Sequence, residues 1–310
     1  MAGKTEPIPG MSDIWEPEAG EWVALEAAAR RVFALYGYSE IRTPVLERTD
    51  VFVRGIGDET EVVQKEMYTF EDRGGRSLTL RPEGTAGIMR AIANEGLSQG
   101  EEKRLFYLGP MFRGERPAAG RKRQFHQIGV EAVGRCNPAV DAECIAMHIH
   151  YLREIGVPRV RLLLNSRGTV DDRARIAAAF RDYFTPRAQE LCEDCQRRLQ
   201  ANVWRILDCK NDQCQPVIEG APAIPDLLCE ASRAFFNSVC DTLDVLGIDY
   251  ELDPRLVRGL DYYEHTVFEI LSGAEHLGAQ NAISGGGRYQ IRLPGVKKPV
   301  RGVGFAAGVE

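Results

Sequence analysis

Between Phe106 and Glu131 the chain reads FYLGPMFRGERPAAGRKRQFHQIGVE, which parses as a strand, a basic loop and a second strand. Alternate side chains of a strand point to opposite sides of its sheet. From Gln124 onward, His126, Ile128, Val130 and Ala132 share one side and can pack on a core. Phe125, Gln127, Gly129 and Glu131 share the other. A solvated strand face carries Lys, Thr, Ser or Glu, so an aromatic and a glycine there imply that something lies over it. The intervening loop holds Arg113, Arg116, Arg121, Lys122 and Arg123. Cations beside a polar sheet face suit a floor that takes a polyanion and a small polar molecule together.

The flanking sequence says what kind of sheet this is. Trp22, Leu25, Ala29, Val32, Phe33 and Tyr36 recur at helical spacing and Gly37 stops them, which predicts a long amphipathic helix. Glu40 to Thr43 is extended before Pro44. Met67–Phe70 and Ser77–Leu80 flank Asp72-Arg73-Gly74-Gly75, a hairpin signal. Helices are expected over Thr85–Leu97 and Val140–Ile155, and a strand over Arg159–Leu164. From about Gly168 to residue 245 charge, Leu, Ala and Cys recur at helical spacing. Strands return at Tyr250 and at Thr266–Ile270. Hairpins outnumber βαβ units, so the fold is α+β: an antiparallel sheet flanked by helices, interrupted by a helical insertion. The expected divisions are 1–168, 169–245 and 246–310.

At 310 residues the chain suits about two domains. Its net charge of -6 confines any nucleic-acid contact to a local patch. No run of about 18 apolar residues predicts a membrane span, and the first ten residues lack the apolar stretch of a secretion signal. Eight cysteines in such a chain point to a reducing cytoplasm, with thiols or metal rather than disulfides.

Four groups of residues could carry chemistry. In Arg81-Pro-Glu-Gly-Thr85 a turn fixes Glu83, which either binds an ammonium group or caps the following helix. In Leu256-Val-Arg-Gly-Leu-Asp-Tyr-Tyr263, Arg258 stands among apolar residues and either waits for an anion or pairs with Asp261. Tyr262 and Tyr263 read as core aromatics. Gly285-Gly-Gly-Arg-Tyr289 follows a strand pattern and permits close approach of a ligand or backbone. Cys192, Cys195, Cys209 and Cys214 either offer four thiolates to one Zn²⁺ or are buried thiols of a helical module. Cys136, Cys144, Cys229 and Cys240 read as core residues.

Together these segments resemble the class II aminoacyl-tRNA synthetases. Tyr38–Pro44 resembles their first motif, Phe106–Glu131 their second, and Gly302–Glu310 the start of their third. Leu80–Thr85, Gln124–Gln127, Leu256–Tyr263 and Gly285–Tyr289 are similar to segments of the histidyl-tRNA synthetases. That resemblance implies a ligase of protein biosynthesis that joins L-histidine to ATP and passes it to the end of tRNA(His). It implies histidine binding by Glu83, Gly84, Thr85, Gln127, Glu131, Arg258, Tyr262 and Tyr263. Glu83 would take the ammonium, with Thr85 and Gln127 assisting, and Glu131 and Tyr263 would read the imidazole. It implies ATP binding by Arg113, Glu115, Arg121 and Phe125, with adenine on Phe125 and the α-phosphate held by Arg113 and Arg258 as the catalytic pair. Mg²⁺ would sit on the other phosphates, and the segment around Pro44 would form a homodimer interface. The insertion would touch the acceptor arm of the tRNA.

Two departures accompany the resemblance. The family pattern continues beyond Glu310 with an arginine over adenine and an anticodon-binding domain. The expectation is therefore a catalytic region that binds histidine and activates it slowly, as a truncated chain or a shorter relative. Gln290 stands where the family carries an acidic residue, and residues 291–301 form an unusual loop. The alternative from another class is a non-catalytic histidine sensor that regulates an ATP phosphoribosyltransferase. A sensor needs Glu83, Glu131 and Tyr263 but not Arg113, Arg258 and the basic loop, so their presence favours the ligase.

Overall fold

The computed structural model describes residues 6–310 except 59, 97–100, 119, 158, 274–281 and 297. The predicted helix end at Leu97, Ala119 of the basic loop and Lys297 of the 291–301 loop thus lie outside the described residues. Helix α1 (Glu18–Leu35) leads into β1 (Ser39–Glu40), β2 (Leu46–Arg48) and α2 (Thr49–Ile56). The predicted hairpin is β3 (Thr69–Glu71) with β4 (Ser77–Leu80), followed by α3 (Thr85–Glu95). The strand–loop–strand segment is β5 (Lys103–Phe112) and β6 (Gln124–Val133). Next come α4 (Pro138–Glu154), β7 (Val160–Ser166), α5 (Val170–Phe184), α6 (Glu193–Ala201), α7 (Gln215–Glu219) and α8 (Glu230–Val245). The chain closes with β8 (Glu251–Leu252), β9 (Tyr263–Ser272), β10 (Ala282–Ile291) and β11 (Val300–Gly308).

Eight strands form one sheet in the order β1-β5-β6-β11-β10-β9-β7-β8. Its six central strands are antiparallel, and only the short edge strands β1 and β8 pair in parallel. The expected α+β antiparallel architecture is what forms. On one face, Ile128, Val130 and Ala132 of β6 join Phe33 of α1 and Ile145 of α4 in a core cluster, as the alternation of β6 requires. His126 at the strand's start is the exception: it stays half-buried, edge-on to Trp22 at 4.6 Å. The other face carries a second cluster, including Phe52, Met89, Tyr107, Tyr262 and Tyr289. The functional cavity opens within this second layer.

The helical stretch from 169 to 245 divides by packing. Ile176, Phe180, Leu199, Trp204 and Ile218 of α5–α7 and their connections enclose a core of their own. Helix α8 instead sends Phe236, Val239 and Leu243 into the main cluster beside α4. Its composition resembles that of α5–α7, so only packing separates them. Cys136, expected in the core, is exposed, because it lies in the turn after β6 rather than on a packed face. Glycines 285–287 lie inside β10 rather than after a strand.

Deepest in the sheet, Arg288 of β10 and Asp141 of α4 form a fully buried ion pair. Arg288 also donates to the carbonyls of Arg135 at 3.0 Å and Asn137 at 3.3 Å, and Thr266 Oγ1 donates to Asp141 at 2.6 Å. A buried pair satisfied this fully locks α4 to the central strands.

Candidate active site

The Pro-Glu-Gly turn before α3 places Glu83 beneath the first turn of that helix. Its two carboxylate oxygens accept from the backbone N–H groups of Thr85 and Ala86, each at 2.8 Å. The capping role is therefore real, and the same carboxylate lines a cavity. Burial pushes the Glu83 carboxyl upward, against the pull of those N–H donors.

Glu131, 1% exposed, faces the same cavity from β6. It accepts from Thr85 Oγ1 at 2.7 Å and from Tyr289 Oη at 2.6 Å. Burial raises its pKa to about 8, beyond what the two hydroxyls offset. Each carboxylate oxygen has a second lone pair, so Glu131 can still accept from a ligand N–H. Gln127, two turns of the pleat away, is buried with its Oε1 unpartnered among the described residues.

Tyr107 packs beside this floor, outside the cavity lining. It pairs with Gly129 across β5 and β6, and a Cβ at Gly129 would stand 2.5 Å from the tyrosine Cζ. A Cβ at Gly84 would strike the same ring. Both positions must therefore lack a side chain, which accounts for Gly84 without giving it a ligand. Tyr107 and Tyr289 had no expected role. The signal for Tyr107 was present as an aromatic facing a glycine in the paired strand, but reading it needs the register. In the sequence Tyr289 only ends a glycine cluster that resembles a family segment, with nothing to mark a role of its own.

The cavity wall also carries two guanidinium groups, those of Arg258 and Arg113. Arg258 forms an ion pair with Glu269 of β9 rather than with Asp261, the partner that one of the two sequence readings offered. Register explains the difference: Glu269 pairs with Gly285 of β10, and Arg258 lies over that glycine, where a Cβ would collide with the guanidinium. The Arg258 Nε is buried without a partner among the described residues. A buried donor left open beside a cavity suits an incoming acceptor. Arg113 donates its Nε to the Pro82 carbonyl at 3.0 Å, and its guanidinium lies 5.1 Å over the Phe125 ring. Glu115 stands 3.9 Å from Arg113 and 3.8 Å from Arg121, so the loop's acid is held loosely between two guanidinium groups.

The cavity measures about 180 Å³. At about 30 Å³ per liquid water it has room for a few waters or one small polar molecule. Glu83, Thr85, Arg113, Gln127, Glu131, Arg258, Tyr262 and Tyr263 all line it. Tyr262 and Tyr263 are at once core aromatics and cavity wall. Phe125, Glu115 and Arg121 lie outside that wall, along the loop end of β6. Carboxylate acceptors and guanidinium groups lining one small cavity suit a zwitterion with an ammonium and a carboxylate.

Cys192, Cys195, Cys209 and Cys214 also come together, with all four sulfurs within 4.8 Å of one another. They lie in the helical module.

A family profile described as Histidyl-tRNA synthetase matches residues 10–310. A histidine--tRNA ligase of Halothermothrix orenii is 50% identical over 303 residues, covering 97% of this chain and 72% of the relative. One from Anoxybacillus flavithermus is 50% identical over 304 residues with the same coverage. The crystal structure of apo S. aureus histidyl-tRNA synthetase superposes with a TM-score of 0.78 at 39% identity, covering 98% of this chain and 72% of that one. A Bacillus halodurans structure described as an ATP phosphoribosyltransferase regulatory subunit/histidyl-tRNA synthetase has a TM-score of 0.71 at 23% identity and shows the fold alone. The chain belongs to the histidyl-tRNA synthetase family.

Proposed function

We propose that this member of the histidyl-tRNA synthetase family activates L-histidine with ATP and transfers it to the 3′ end of tRNA(His). The observation that carries the reading is the make-up of the cavity: Glu83, Gln127, Glu131, Tyr263 and the guanidinium groups of Arg258 and Arg113 all line one small space. Glu83 takes the α-ammonium, helped by Thr85 and Gln127. Glu131 and Tyr263 meet the imidazole, whose two nitrogens are one donor and one acceptor when neutral. Tyr262 walls the ring. A site built this way rejects analogues that leave its buried polar atoms unpaired.

The histidine carboxylate then points toward Arg258 and Arg113. These hold it in line with the α-phosphate of ATP, whose adenine stacks on Phe125. A carboxylate oxygen attacks phosphorus, the bond to pyrophosphate breaks, and histidyl-adenylate forms. Fixed guanidinium donors offset the charge that builds on the phosphoryl oxygens. Arg121 and Glu115 border the phosphate tail. When bound, Mg²⁺ would supply further neutralisation of phosphate charge. Its preferred oxygen donors are represented by Glu115 and Glu269. In the second step a ribose hydroxyl of the tRNA attacks the carbonyl carbon and AMP leaves.

We also propose a homodimer through the segment around Pro44, where Val45 and Leu46 are exposed. Cytoplasmic residence fits eight cysteines outside any disulfide. Among the described residues no helix is long and apolar enough to cross a membrane.

The deciding experiment is amino-acid-dependent exchange of pyrophosphate into ATP, alongside histidine calorimetry. Exchange that requires histidine and disappears in Arg113→Ala is the expected result. Histidine binding with no exchange would refute the ligase and favour the sensor.

A further inference from the structure

The helical module holds a cluster that amino-acid activation does not use. Cys192 precedes α6 and Cys195 lies in its first turn. Cys209 follows the 3₁₀ turn Val203–Ile206, and Cys214 ends the 3₁₀ turn Asp212–Cys214. Three of the four thiols are buried and Cys192 is half-buried. All four sulfurs lie within 4.8 Å of one another, and Cys192 Sγ and Cys209 Sγ are 3.8 Å apart. Four thiolates at about 2.3 Å from a tetrahedral ion stand about 3.8 Å from each other. The cluster is therefore close to the size of a single-ion site.

Two further observations favour a metal over simple packing. The backbone N–H of Cys192 donates to Cys214 Sγ at 3.2 Å, and that of Asn211 to Cys209 Sγ at 3.4 Å. Amide donors aimed at sulfur are the outer contacts that hold thiolate ligands in place. Packing of neutral thiols needs neither this nor the convergence of all four. A disulfide would use only two of them. Four sulfurs this close leave no room for an iron–sulfide cluster, and a single ion in an all-thiolate tetrahedral set is zinc or, as the competitor the test distinguishes, iron.

We propose that Cys192, Cys195, Cys209 and Cys214 bind one Zn²⁺, and that this ion positions the amino-acid pocket. The metal-held turn carries Asn202 and Arg205. Asn202 Nδ2 donates to Asp261 Oδ1 at 3.4 Å. Arg205 lies against Gly259, where an added Cβ would be 3.4 Å from its Nη1. Val257 packs in the module's own core. The segment bearing Arg258, Tyr262 and Tyr263 thus rests on the turn that the ion would fix. This second step rests on the function proposed above; the metal site itself does not.

The test uses the full chain, purified without chelator and kept reduced. Elemental analysis should find a single equivalent of zinc per chain. The metal-free protein should take up Co²⁺ with the intense visible bands of a tetrahedral thiolate site. Cys209→Ser and Cys214→Ser should each lose the zinc and those bands, while Cys240→Ser keeps both. Zinc removal should raise the histidine KM several-fold, and clearly more than the ATP KM. Metal-free reduced protein that binds neither Zn²⁺ nor Co²⁺ would overturn the site, as would iron in place of zinc. So would full metal content in the Cys209 and Cys214 variants. The Co²⁺ titration of the parent decides even if a variant does not fold. Equal changes in both KM values would overturn the positioning role. Loaded protein without histidine-dependent exchange would count against the ligase and leave the metal site standing.

Discussion

Replacing Glu131 with Gln tests the division of labour along β6. The two side chains have nearly the same shape, and Thr85 and Tyr289 are hydroxyls that can turn to serve an amide. The fold should therefore survive. What disappears is a charged acceptor for the imidazole N–H. A hydrogen bond to a charged group contributes about 1.5–3 kcal/mol. At about 1.4 kcal/mol per tenfold, histidine affinity should fall by about 10- to 150-fold. ATP should barely notice. Phe125 lies six residues away on the strand, about 20 Å at about 3.3 Å per residue. Calorimetry with histidine, and KM values for each substrate in pyrophosphate exchange, measure both effects. The parent should also show a pH signature. Its Glu131 pKa is raised to about 8 by burial, and a ligand N–H favours the ionised form. Histidine binding should thus release a proton and strengthen as pH climbs toward 8, beyond the titration of free imidazole near about 6.5. Glu131→Gln should lack that upper portion. Equal losses for histidine and ATP, or an unchanged pH profile, would refute the assignment.

Phe125→Ala should do the reverse, raising the ATP KM by the loss of about 1–3 kcal/mol of base stacking while the histidine KM stays put; steady-state kinetics with each substrate varied checks it. Gly285→Ala should push Arg258 away from Glu269 and lower kcat by about 10²–10³. Its melting temperature should change little, because the atoms displaced end a side chain rather than belong to the backbone. Asp141→Ala leaves Arg288 buried and uncompensated, and should cost about 3–5 kcal/mol in urea unfolding. Stability should also depend on pH through Glu131. Its folded pKa is raised, so its contribution is full below the ordinary carboxylate range and is lost as pH rises through about 8. Urea midpoints across that window should fall less steeply in Glu131→Gln.

Local chemistry made much of the site legible in advance. The alternation of β6 separated a core face from a cavity face without any knowledge of its neighbours, because a strand's period of two is a property of its backbone. The rigid turn at Glu83 marked both a helix cap and an acceptor, since either role needs a fixed carboxylate. The four cysteines could be named as a candidate ligand set from type and spacing alone. Only the tertiary structure decided where strands meet. Register sets Glu269 beside Gly285 and so gives Arg258 a partner 11 residues along the chain instead of the nearby Asp261. Register sets Tyr107 against Gly129, and chain folding gathers Cys192 and Cys214 across 22 residues. Packing assigned α8 to the main core although its composition matched the helical module. A residue's type and its immediate neighbours determine what it can do. Which distant group it meets depends on how the chain pairs and packs, and that is what turned a two-faced strand into the floor of a charged cavity.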